Sequence, residues 1–143
     1  MIETSYLNGK VLKRSLPLFH GPPPANAPGP KRLSLPQGEL AHFYDGEDGI
    51  RYAAFVELRP DKVRGNHWHR LKEEQIYVIS GELMLVAQDG DSGPKVVIKL
   101  ETGDLAIIAC GVAHAVKTIK AGQAIEYSRT RFDATDVQGF TVI

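Results

Sequence analysis

Two of the chain's five histidines, His67 and His69, stand two residues apart in a segment, Val63 to His69, whose composition reads as strand. Side chains alternate across a strand, so both imidazoles leave the same face, with Cα atoms about 6 to 7 Å apart. Two neutral rings so placed can grip one ion. Glu74 follows after four intervening residues, the length of a hairpin turn, so the next strand can carry its carboxylate back beside the rings. His114 lies forty residues further on, just after the turn-like Ala109-Cys110-Gly111, where a returning strand can add a third imidazole. Such a set suits one divalent transition metal ion (Zn, Fe, Mn, Ni or Co) better than Ca or Mg, which prefer oxygen shells. The same residues have a plainer reading, since His-x-His is common on exposed strands and a lone histidine is commonly surface or satisfied core. Spacing by itself leaves the two readings level.

The elements that must position these groups are strands. From Glu39 onward the sequence consists of short apolar runs closed by Gly, Pro, Asp or Ser, with no sustained helical periodicity, which is an all-β pattern. Strands are expected at Leu40 to Tyr44, Arg51 to Leu58, Val63 to His69, Glu74 to Ser80, Glu82 to Gln88, Lys95 to Leu100, Asp104 to Ala109, His114 to Ile119 and Ala124 to Arg129. Turn chemistry falls between them at Asp45-Gly46, Asp48-Gly49, Ser80-Gly81, Asp89 to Pro94, Thr102-Gly103 and Ala121-Gly122. Ile76 to Ile79 and Leu83 to Val86 are apolar on consecutive residues, so these strands are buried on both faces. A sandwich or barrel with a covered outer face is implied, the cover being either the N-terminal segment or a second subunit, and a homodimer is expected.

Residues 1–38 differ in character. They hold Pro17, Pro22, Pro23, Pro24, Pro28, Pro30 and Pro36, seven of the nine prolines, and are expected to form an irregular arm ahead of a barrel domain at 39–143. Val11, Leu12, Leu16, Leu18 and Phe19 give this arm something to pack with, on the barrel or on a partner subunit.

The 17 basic and 17 acidic residues balance, so no net field draws the chain to nucleic acid or to an anionic membrane, and a small molecule is the expected partner. A single cysteine, Cys110, excludes an internal disulfide and suits a reducing compartment. No run has the length of a signal peptide or membrane span, so a cytoplasmic setting is expected.

Over residues 39 to 130 the pattern resembles the cupin family. That family's first motif runs glycine, five residues, His-x-His, three or four residues, Glu, six residues, Gly. Here His67-Trp68-His69, Glu74 and Gly81 match, and Asp61 stands where the first glycine belongs. The second motif is matched by Gly103, Gly111 and His114, with Ala109 in place of a proline and Thr118 in place of an asparagine. The resemblance implies a double-stranded β-helix, or jelly-roll, barrel and a metal held by His67, His69, Glu74 and His114. The six-residue step to Gly81 selects Glu74 over Glu73, which is left to solvent and the turn.

Cupins include isomerases, epimerases, dioxygenases, decarboxylases, lyases and non-catalytic binding proteins, so the fold does not fix a reaction. Arg64-Gly65-x-His67 resembles the Arg-Gly-x-His of cupins that epimerise or isomerise keto sugars carried on nucleotides. The expectation is therefore an isomerase or epimerase acting on a small, polar, carbohydrate-like carbonyl compound, with Arg64, Glu126 and Tyr127 as candidate catalytic groups. Glu126 or Tyr127, whichever faces inward, would move the proton. An Fe(II)-dependent dioxygenase and a non-catalytic small-molecule-binding protein are the alternatives. His20 and His42 lack ligand spacing, Trp68 points away from the histidine pair toward an outer layer, and Cys110 reads as a small hydrophobe near the cavity mouth.

Overall fold

The two longest strands run through the places where the sequence expects a turn. The computed structural model describes residues 1–23 and 27–143. Its strands are β1 (Ile2–Tyr6), β2 (Val11–Ser15), β3 (Leu18–His20), β4 (Lys31–Leu35), β5 (Gly38–His42), β6 (Tyr52–Leu58), β7 (Val63–His69), β8 (Glu74–Asp89), β9 (Lys95–Glu101), β10 (Asp104–Ile108), β11 (Val112–Ser128) and β12 (Val137–Gly139). A single 3-10 turn, Ala134–Asp136, precedes β12. Ser80-Gly81 and Ala121-Gly122, expected as hairpin turns, are instead bends within β8 and β11. Gly81 has a φ of +100°, and a Cβ there would stand 2.7 Å from the Lys120 carbonyl. A Cβ on Gly122 would meet the Ser80 carbonyl more closely still. Without side chains the two strands cross tightly enough to change direction together while staying paired.

That bend makes the jelly roll, because each long strand serves both faces of the barrel. The first half of β8 pairs with β10 and with the second half of β11, which also pairs with β6. The second half of β8 pairs with β9 and with the first half of β11, which also pairs with β7. Inward-facing residues of alternating register, among them Val56, Leu58, Ile76, Val78, Leu83, Leu85, Leu100, Ile108 and Ala124, fill one closed core. The all-β barrel expected from the sequence is the fold observed.

The expectation of an irregular arm needs correction. β1 and β2 form a hairpin, and β2 pairs with β10, so the N-terminus extends one barrel sheet. β3, β4 and β5 form a separate three-stranded sheet that includes His42, which the sequence reading had placed on the first barrel strand. The prolines do not prevent these strands because they lie between them: Pro17 after β2, Pro22, Pro23, Pro28 and Pro30 between β3 and β4, and Pro36 between β4 and β5. Pro24, with Ala25 and Asn26, lies outside the described residues.

Parts of both outer faces are covered by the chain itself, while Phe55, Met84 and Val97 stay exposed. Leu16, Phe43 and Tyr44 pack over Tyr77, Leu105 and Tyr127, with Phe43 stacked on Tyr77 at 4.8 Å between ring centroids. At the other face Phe140 and Val142 pack on Val86, Ala113, Ala115 and the outward-pointing Trp68. The double-sided burial expected of β8 thus has its cover in these segments for most of the strand, but not at Met84, which is exposed. Among the described residues no helix is long and apolar enough to cross a membrane.

Candidate metal centre

β7 delivers its two histidines through a bulge. Gly65 (φ +100°) and Asn66 (φ +56°) both take left-handed backbone, and the register between β7 and β11 shifts at His114/Ala115. A Cβ on Gly65 would stand 2.8 Å from the His114 carbonyl oxygen, so only glycine lets β7 approach β11 this closely. His67 is consequently opposite His114 across the pair. Asn66 accepts hydrogen bonds from the backbone N–H groups of Val142 and Ile143 through Oδ1, which fixes the bulge to the C-terminus. The N–H of Gly111 donates to the carbonyl of His69 at 2.6 Å, tying the loop before β11 to the end of β7.

The four groups that the sequence singled out converge. One donor atom from each of His67, His69, Glu74 and His114 lies within 4.8 Å of all the others. Ring centroids are 4.7 Å apart for His67 and His69 and 5.0 Å for His67 and His114. Three observations say that these residues fit a transition metal ion. Both ring nitrogens of buried His69 lack a hydrogen-bond partner among the described residues, which is costly unless a ligand satisfies them. Burial, reinforced by the neighbouring imidazoles, pushes His67 down to about 4 and also lowers His69, so both rings stay neutral as ligation requires. Finally, Nδ1 of His114 lies 3.0 Å from the Val112 carbonyl and can donate to it, which leaves Nε2 as the ligand atom.

His114 Nε2 meets Glu74 Oε2 at 2.5 Å. Burial opposes charge on both, yet their contact overrides it: with no ion between them His114 is raised and Glu74 is lowered, so an ion bound there displaces the shared proton from Nε2.

The cavity around these ligands, about 320 Å³, is lined further by Tyr52, Arg64, Lys72, Ile108, Glu126 and Phe132. Of the two candidates on β11, alternation sends Glu126 inward and Tyr127 outward. Glu126 is half-buried, and burial together with the Glu74 charge raises its carboxyl above the usual range. Tyr127 is 1 % exposed in the outer cluster with Leu16 and Tyr77, and does not line the cavity of His67, His69, Glu74 and His114, so it is withdrawn as a candidate proton mover. Arg64 lines the mouth, exposed, with its guanidinium 3.4 Å from the Glu57 carbonyl. Glu73 is turned outward toward Arg129. Cys110, His20 and His42 are exposed and do not line this cavity.

Two functional residues escaped the sequence reading. Lys72 is 5 % exposed, and its ammonium lies 3.7 Å from Glu74 Oε1 and 4.2 Å from the centre of the Tyr52 ring. Asp136, buried in the 3-10 turn, accepts hydrogen bonds from the backbone N–H groups of Arg70, Leu71 and Lys72 at 3.0 to 3.1 Å. It thereby shapes the turn between His69 and Glu74. The sequence signal for Lys72 was only its nearness, two residues before Glu74, since it lies in the turn ahead of β8 and no strand alternation aims it.

A family model described as a cupin domain matches residues 54–127. No curated protein matches the chain. Among solved structures, the dTDP-4-dehydrorhamnose 3,5-epimerase from Sulfolobus tokodaii is similar at a TM-score of 0.75 and 17 % identity, over 99 % of this chain and 84 % of that one. The dTDP-6-deoxy-D-glucose-3,5-epimerase from Legionella pneumophila, in complex with dTDP-4-keto-L-rhamnose, is similar at 0.74 and 14 %, over 99 % and 78 %. A TDP-quinovose 3,4-ketoisomerase from Campylobacter jejuni reaches 0.66 and 16 %, over 76 % and 87 %. At these identities the likeness is one of fold.

Proposed function

Because this chain belongs to the cupin family, we propose that it is a metal-dependent isomerase or epimerase of a small, polar, carbohydrate-like carbonyl compound. The observation that carries the reading is the meeting of the His67, His69, Glu74 and His114 donor set with an inward Glu126, its carboxyl raised by burial, in one cavity. Similar folds that act on sugars, as epimerases and ketoisomerases, are consistent with it.

In this proposal His67, His69, Glu74 and His114 hold one divalent ion of the Zn, Fe, Mn, Ni or Co group. When bound there, such an ion supplies Lewis-acid polarisation of a carbonyl oxygen. The remaining work belongs to the chain. In isomerisation Glu126 removes a proton from the carbon beside that carbonyl and returns it to the neighbouring carbon, while the hydroxyl proton passes to the former carbonyl oxygen; in epimerisation Glu126 takes the proton and water at the cavity mouth supplies one to the opposite face. A carboxyl raised toward neutrality is suited to both halves of the transfer. Ile76, Ile108 and Val116 give the cavity an apolar wall that limits water around the transferred proton. Arg64, at the mouth, meets the polar end of the substrate. A homodimeric assembly and a cytoplasmic setting complete the proposal.

Turnover of keto sugars by metal-loaded and metal-stripped protein tests the reading. Exchange of the α-proton with deuterated solvent is expected only in the loaded protein. Equal behaviour of the two forms contradicts it, and oxygen uptake by the iron-loaded protein without isomerisation transfers the assignment to a dioxygenase.

A further inference from the structure

Lys72 is unusual among the chain's cations because it is buried in a cavity without hydrogen-bonding anything. Its backbone is fixed by Asp136, and its side chain is 5 % exposed. Its closest opposite charge, Glu74 Oε1, stands at 3.7 Å, beyond hydrogen-bond distance, and among the described residues the ammonium makes no hydrogen bond. The rings of Tyr52 at 4.2 Å and Phe132 at 5.9 Å shelter it but accept little. An ammonium has three donors, and those of Lys72 open on the cavity, where a ligand can supply the acceptor.

Charge decides what kind of acceptor. With a divalent ion on the four ligands, the fixed charges of the cavity are the ion, Lys72 and Arg64 against Glu74 and Glu126. Positive charge is in surplus even with both carboxyls ionised, so an anionic oxygen is favoured over a neutral one.

We propose that Lys72 is a substrate-binding residue that receives a carboxylate oxygen of the ligand, with Asp136 as its positioning residue, so that the cavity takes an acidic, carbohydrate-like carbonyl compound. The inference rests on the metal-centre reading above and adds the substrate class to it. A merely structural Lys72, serving as counter-ion to Glu74, would affect stability and leave discrimination between acidic and neutral ligands untouched.

Glycolate and ethylene glycol, which differ in the anionic oxygen, separate these roles. Both are titrated calorimetrically into the zinc-loaded full-length protein and its Lys72→Met, Lys72→Arg and Asp136→Asn variants, after zinc content has been measured in each. Glycolate is expected to bind the wild type and to lose about 10-fold or more with Lys72→Met, the scale of a lost charge-assisted hydrogen bond. Lys72→Arg is expected to recover part of that loss, Asp136→Asn to lose a smaller factor, and ethylene glycol to distinguish none of them. Glycolate binding to Lys72→Met within two-fold of wild type overturns the proposal. Should Lys72→Met fail to fold, the 13Cε resonance of Lys72 in the wild type, assigned by its absence from the Lys72→Arg spectrum, must shift on glycolate addition. An unmoved resonance at saturation overturns the proposal as well. Binding without keto-sugar turnover would sink the isomerase reading alone, and turnover with Lys72-indifferent binding would sink this one alone.

Discussion

Two neighbouring carboxylates in the cavity are assigned different tasks by their surroundings. Glu74 is held ionised against His114, whereas Glu126 is raised by burial and by the Glu74 charge, so the first suits ligation and the second suits proton transfer. Replacing Glu126 with Gln is predicted to cut isomerisation by about 10² to 10⁴ while leaving metal content unchanged, measured by solvent deuterium exchange beside elemental analysis. Acid sensitivity follows from the histidines. The His67 ring titrates near 6.5 in the unfolded chain and at about 4 in the folded one, so between those values the unfolded chain binds more protons. The metal-free protein is therefore predicted to lose stability as pH falls from about 6.5 toward 4, with His69 contributing in the same direction. His114, being raised, contributes stability that is lost as pH rises, and the depressed Glu74 loses its contribution only at lower pH, so His67→Ala isolates the His67 share. Thermal midpoints of metal-free wild type should fall more steeply over that window than those of His67→Ala, and parallel profiles would refute it. At this scale the four converging groups were legible because the cupin motif spacing, added to strand alternation, singles them out. The choice between Glu126 and Tyr127 was not, because the phase of a strand apolar on both faces cannot be read from one sequence. Asp136 was invisible, its role being to accept backbone N–H groups far away in the chain.

Elements aim these residues through glycine. The bulge at Gly65 lets β7 press against β11, and the bends at Gly81 and Gly122 carry β8 and β11 from one face of the barrel to the other. Gly65→Ala places a Cβ 2.8 Å from the His114 carbonyl on a left-handed backbone. It is predicted to cost about 1 to 3 kcal/mol in denaturant unfolding and to lower metal occupancy, since His67 and His114 are displaced together. A variant that is destabilised but retains full occupancy would show that the bulge does not set the ligand geometry. Strand positions were legible from their apolar runs, yet the bends read as hairpin turns. Gly in a turn and Gly at a crossing leave the same trace in a sequence, and only the partner strand tells them apart. The N-terminal prolines misled for a related reason, because proline forbids a strand only where it stands within one, and these stand at strand ends.

On the scale of the whole molecule, the double-sided burial of β8 was legible but the identity of the cover was not. Phe43 and Tyr44, and Phe140 and Val142, cover parts of the two outer faces, so the chain supplies some of the cover expected of a second subunit, while Phe55, Met84 and Val97 stay exposed. A cavity joins His67, His69, Glu74 and His114 to Lys72 and Glu126, and binding there should stabilise the fold as a unit. Zinc at about 100 times its dissociation constant adds about 2.7 kcal/mol, which for a chain of this size raises the thermal midpoint by about 5 to 10 °C. No shift with any of the candidate ions would speak against a folded-state site. The most direct test is elemental analysis of protein purified without chelator. One transition metal ion per chain is predicted for the wild type, with loss of most of it in His69→Ala and Glu74→Ala. A wild type devoid of metal and indifferent to added Zn, Fe, Mn, Ni and Co, or variants that hold as much as the wild type, would contradict the account.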